Sequence, residues 1–74
     1  MKFIKYEKTS YADRFICVDK PNQRFFKVSV ESLDGTEYYL FIYSEKGKIV
    51  YNAWNFESLN SALDAATKAI TNEV

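Results

Sequence analysis

Between Arg24 and Trp54 apolar side chains recur at every second residue, and after Ser58 at every third or fourth. That change of period constrains the fold more than any other feature. A period of two is a strand with one wet face, and a period near 3.6 is a helix with one apolar stripe. Arg24 to Ser32 sets Phe26, Val28 and Val30 against Phe25, Lys27, Ser29 and Glu31. Glu37 to Ser44 sets Tyr38, Leu40 and Ile42 against Glu37, Tyr39, Phe41 and Tyr43. Lys48 to Trp54 sets Ile49, Tyr51 and Ala53 against Val50, Asn52 and Trp54. Asp34-Gly35 between the first two segments predicts a type I′ hairpin, which needs positive φ angles. Glu45-Lys46-Gly47 predicts a second tight turn with Gly47 left-handed. Leu59, Ala62, Leu63, Ala66 and Ile70 form the helical stripe, with Ser58 as N-cap and Asn55 as the alternative.

The N-terminal third is less regular. Lys2 to Glu7 and Arg14 to Asp19 both read as strands, either separate or as one interrupted strand. Lys20-Pro21-Asn22-Gln23 reads as a turn with proline at its second position. The expectation is one domain over residues 1–74, of α+β class. It has an antiparallel meander of four to five strands within 2–54 and one C-terminal α-helix, about 58–72, packed on one face.

One helix of about 15 residues is roughly 22 Å long. It covers one face of such a sheet and leaves the other. The purer face, from Phe26 through Ala53, should lie under the helix. The second then presents Phe25, Tyr39, Phe41 and Tyr43 with Lys27 and Glu31. Such an aromatic patch rimmed by charge marks an interaction surface. It also has two other readings: cross-strand aromatic pairs that stabilise a half-exposed sheet, and a homodimer through this face.

Composition narrows the chemistry. The chain has 74 residues, no His and one Cys. It therefore has neither a histidine base, nor a histidine metal site, nor an intrachain disulfide. Cys17 sits in the apolar run Arg14 to Asp19, as a buried structural thiol does. The acidic residues are scattered, and no glycine-rich phosphate loop is present. The reading is a non-enzyme without cofactor or metal. Ten basic and ten acidic residues cancel, so direct nucleic-acid binding is disfavoured, since that surface is usually basic. A stacking module for single-stranded RNA is the alternative. There is no membrane-spanning run, and Met1-Lys2-Phe3-Ile4-Lys5 is charged too early for a signal peptide.

The opening Met1-Lys2-Phe3-Ile4-Lys5-Tyr6, the mid-chain Lys27 and Val30-Glu31, and Phe56-x-Ser58 at the helix start resemble small phage anti-CRISPR proteins of the type I-F kind. The resemblance implies an antiparallel meander followed by helix. It also implies binding to backbone subunits of a CRISPR surveillance complex in the bacterial cytoplasm, which keeps target DNA from pairing with the guide RNA. It assigns contact roles to Tyr6 on the first strand and to Glu31. The family's second contact tyrosine falls here at Asp19 or Lys20, so that aromatic anchor is absent. The expected partner-binding set is Tyr6, Lys20, Phe25, Lys27, Glu31, Tyr39, Phe41 and Tyr43. A second likeness, on Phe56 to Leu63 with Ala65, Ala66 and Ile70, is to the sheet-then-helix domain of small antitoxins of the HicB type.

Overall fold

Each strand of the chain hydrogen-bonds to the one that follows it. In the computed structural model, which describes residues 1–72, β1 (Lys2–Lys8), β2 (Ala12–Asp19), β3 (Arg24–Glu31), β4 (Tyr38–Ser44) and β5 (Ile49–Phe56) pair antiparallel in that order. The helix α1 (Leu59–Asn72) follows. The last two residues of the expected 1–74 domain, Glu73 and Val74, lie outside the described residues. The fold is therefore α+β with a five-stranded meander, and the two N-terminal segments are separate strands.

Short-range chemistry explains the turns. At the β1–β2 turn the Thr9 hydroxyl accepts from the Ala12 N–H at 3.0 Å, and the Thr9 N–H donates to the Ala12 carbonyl at 2.8 Å. Lys20–Asn22 form one turn of 3₁₀ helix with Pro21 inside it, closed by Gln23 in the left-handed region at φ 52°. Gly47 adopts φ 88° as expected, and its N–H donates to the Ser44 carbonyl at 2.9 Å. The Asp34-Gly35 turn differs from expectation. Glu31 pairs with Tyr39, so the connection is longer than a two-residue hairpin. Asp34 instead folds an Asx turn, accepting from the N–H groups of Thr36 at 2.9 Å and Glu37 at 3.3 Å. Its short acceptor competes for the backbone and lengthens the loop.

α1 lies over β4, with β3 and β5 to either side. Ser58 is its N-cap, accepting from the Ser61 N–H at 3.1 Å. Ala62, Ala66, Ala69 and Ile70 are buried against Phe26, Val28, Val30, Leu40 and Ile42. Three alanines bring the helix backbone close to the sheet, so a single helix fills the layer. The β1–β2 half of this face is finished differently. Phe3 meets Phe15 edge-on with centroids 6.2 Å apart, and the Lys5 ammonium stands 5.6 Å from the Phe15 ring. Cys17 is buried in the same cluster, and burial pushes its thiol up to about 11, which removes its nucleophilic form at neutral pH.

A polar clasp joins the end of the helix to the sheet. Asp19 is buried, and its carboxylate accepts from Asn22 Nδ2 at 3.0 Å and from Arg24 Nε at 3.2 Å and Nη2 at 2.8 Å. Arg24 Nη2 also donates to the Ile70 carbonyl at 3.1 Å. That carbonyl belongs to the last described turn of α1.

Candidate functional site

The second face of the sheet follows from strand pairing, because residues directly opposite each other across an antiparallel ladder share a face. Three rows cross it. In the first, Ile4, Ile16, Lys27, Tyr43 and Ile49 lie side by side from β1 to β5. In the second, Arg14, Ser29, Phe41 and Asn52 follow one another. The third sets Ala12, Glu31 and Tyr39 together. Phe25 and Val18 pair at the end beyond the Lys27 row.

This face is apolar and open. Phe25 keeps 49% of its surface, Tyr39 39% and Ile49 51%. Trp54 alternates with the core-facing Ala53 and keeps 59%. Tyr6 is exposed too, and it borders a shallow cleft of about 230 Å³ together with Arg14, Lys27, Ser29 and Tyr43. β1 continues the sheet at its edge instead of folding over this surface.

Its charges are few and ordered. Arg14 Nη1 donates to Glu7 Oε1 at 2.8 Å, and Glu7 holds the guanidinium above its usual value. The Ser29 hydroxyl donates to Glu31 Oε2 at 3.2 Å, and Ser29 is buried beneath the neighbouring side chains. Lys27 is exposed and has no ion pair among the described residues. The hydroxyl of Tyr39 is held above the ordinary tyrosine value, chiefly by its hydrogen bond to the Glu37 carboxylate beside it.

No protein-family model, curated protein or solved structure matches the chain.

The structure gathers seven of the eight expected partner-binding residues on one face: Tyr6, Phe25, Lys27, Glu31, Tyr39, Phe41 and Tyr43. Phe41 and Tyr43 are half-buried there and give the patch its floor, whereas Tyr6, Phe25 and Tyr39 stand out from it. Lys20 is separate. It sits in the 3₁₀ turn beyond β2, where a recess also bounded by Phe25 brings it to the rim. One residue changes sides. Ile49 was expected under the helix with Tyr51 and Ala53. A register shift between Ile42 and Tyr43 pairs Ile49 with Tyr43 and turns it outward. The three consecutive apolar residues Ile49-Val50-Tyr51, too many for strict alternation, were the available signal.

Ile4, Ile16 and Val18 also belong to this face and were missed. Their own segments alternate too briefly to tell which side they face until the pairing with β3 is known. Among the described residues no three His, Cys, Asp or Glu side chains converge on a metal-sized site. Among the described residues no helix is long and apolar enough to cross a membrane.

Proposed function

We propose that this chain is a binding protein without catalytic chemistry, acting through the open face of its sheet. One observation carries the reading. Among the described residues five strands share one α-helix, and the face away from it displays tyrosine, phenylalanine and isoleucine in contiguous rows, with Trp54 exposed beside them. Large exposed apolar patches on small domains mark places where another surface docks. Tyrosine and tryptophan bring large contact area at low entropy cost. In this reading Tyr6, Phe25 and Tyr39 bury against the partner, Phe41 and Tyr43 support them, and Lys27 and Glu31 set the orientation. Lys20 makes a rim contact.

The geometry supports binding, and the resemblance supplies the partner. On that resemblance, the partner is a type I CRISPR surveillance complex in the bacterial cytoplasm. The protein occupies its nucleic-acid-handling surface and excludes target DNA by bulk. The balanced charge of the face suits a protein surface better than a phosphate backbone, which is gripped by lysine and arginine.

The test is to mix the purified protein with assembled type I complexes and resolve them by size. Co-elution with loss of target-DNA binding is expected, and Tyr6→Ala, Tyr39→Ala and Glu31→Ala should each weaken it. Elution of the small protein alone across several subtypes removes the partner assignment. Binding to single-stranded RNA that collapses as salt rises would replace the protein partner with a stacked nucleic acid.

A further inference from the structure

The open face carries a charge pattern with its own symmetry. Lys27 lies within the row Ile4, Ile16, Tyr43 and Ile49. Glu45 borders the same recess as Lys27, and closing this ammonium into an interface favours a further carboxylate opposite it. Glu31 lies on the same strand and the same face, with Ser29 midway between them. Ser29 is small and roofed over by its neighbours, so it presents no polar group of its own to a facing surface.

We propose that two copies of the chain close these faces on each other about a two-fold axis crossing the strands over Ser29 and Phe41. That axis reverses strand direction. It sets Lys27 of one protomer against Glu31 of its partner, twice over. It also lays the Lys27 row on the Glu31 row, so Tyr43 meets the partner's Tyr39 and Ile49 approaches the partner's Trp54. Arg14 meets the partner's Arg14, but each already carries its own Glu7 at 2.8 Å. The other in-plane two-fold, along β3, would place Lys27 on Lys27 and Glu31 on Glu31, and like charges brought together in an interface oppose association. The charge order therefore favours the axis across the strands over the axis along β3.

The size is sufficient. Five strands about 4.8 Å apart, each about eight residues at about 3.3 Å rise, give a face of roughly 20 by 26 Å. Side-chain relief raises its accessible area toward the roughly 800 Å² per partner of a standard interface. Face-to-face sheets pack about 10 Å apart in such a sandwich, and closed two-fold pairs are the commonest assembly.

This inference rests on the open face being the interaction surface, but not on the identity of the foreign partner. A second copy and that partner exclude each other, so the dimer is the resting form of the free protein.

Sedimentation equilibrium of the full chain over a wide concentration range tests it. A monomer–dimer equilibrium is expected, with the single tryptophan, Trp54, shifting its emission to the blue as dimer forms. Lys27→Glu and Glu31→Lys should each weaken the dimer by at least about tenfold, and the double exchange Lys27→Glu/Glu31→Lys should recover most of that loss. Thermal melts of each variant at monomeric concentration separate folding from association. A wild type that stays monomeric overturns the dimer. A double variant no stronger than the singles overturns this register. Neither result bears on co-elution with a surveillance complex, which is measured separately.

Discussion

Val28, Leu40 and Ile42 lose nearly all contact with water, while Phe25 and Tyr39, on the same two strands, keep between a third and a half of their surface. Both faces carry large apolar side chains, although the open one also bears Arg14, Lys27, Ser29 and Glu31. What separates them is which side α1 covers. The aromatic content of β3 and β4 therefore serves two purposes. One set of side chains drives folding by burial at about 25 cal/mol per Å². The other set stays available for a second surface.

The comparison is broken most forcefully from the covered side. Ile42 lies beneath α1 and is fully buried. Ile42→Ala should destabilise the chain by about 2–5 kcal/mol through lost burial and a residual cavity. A domain this small has a total stability of order 5 kcal/mol, so the variant keeps at most about 3 kcal/mol and its urea transition is expected to fall to low denaturant. Ile42→Val, at about 1 kcal/mol, keeps the measurement on scale. The neighbouring Phe41→Ala, on the open side, should move the midpoint far less.

The rim between the faces is sensitive to acid. Hydrogen bonds from Asn22 and Arg24 hold the Asp19 carboxyl below the ordinary aspartate value. Burial would raise Asp13, but hydrogen bonds from Lys8 and Lys5 outweigh it and hold that carboxyl below its ordinary value too. Groups depressed in the folded state contribute stability that is complete above the unfolded value, 3.8, and is lost as pH falls through the folded ones. The urea midpoint should therefore hold steady from neutral pH down to that value and then decline. Asp19→Asn should be less stable at neutral pH and show a shallower acid decline. An unchanged acid limb in that variant would remove Asp19 from the clasp.

A smaller effect belongs to the helix that creates the asymmetry. Ser58→Ala removes the acceptor for the Ser61 N–H and should cost about 1 kcal/mol, read as a lowered melting temperature. Ser58→Asp should restore most of it, since a carboxylate accepts the same bond and meets the helix dipole favourably.

The covered face was largely legible in the sequence because alternation and the 3.6 period agree over long runs. Phe26, Val28, Val30, Tyr38, Leu40 and Ile42 all land where the pattern puts them. The helix boundary was legible as well, since Ser58 supplies cap chemistry that acts locally. What the sequence hid depends on pairing between strands. Ile49 turned outward because a register shift interrupts the ladder, and a one-residue slip sends a side chain to the opposite face. Ile4, Ile16 and Val18 joined the open face only through their alignment with β3. Lys20 lies in the turn that Pro21 announces, and that turn winds as a 3₁₀ helix beyond the strand end. Asp34-Gly35 misled through its side chain, which captured two backbone donors and replaced the tight hairpin.

The open face offers the sharpest contrast because its largest consequences lie outside folding. Tyr39 stands across from Glu31 and keeps much of its surface in water. Truncation to alanine removes one cross-strand contact, about 0.2–1 kcal/mol, and leaves no cavity in the core. Tyr39→Ala should therefore melt within a few degrees of wild type, with an unchanged circular dichroism spectrum. Association should respond differently, since a docked tyrosine loses far more contact on truncation than one facing water. If Tyr39→Ala instead destabilises the isolated monomer as strongly as a core substitution, the aromatic rows hold the sheet together. The distinction between a folding face and a binding face then fails at its most exposed tyrosine on β4.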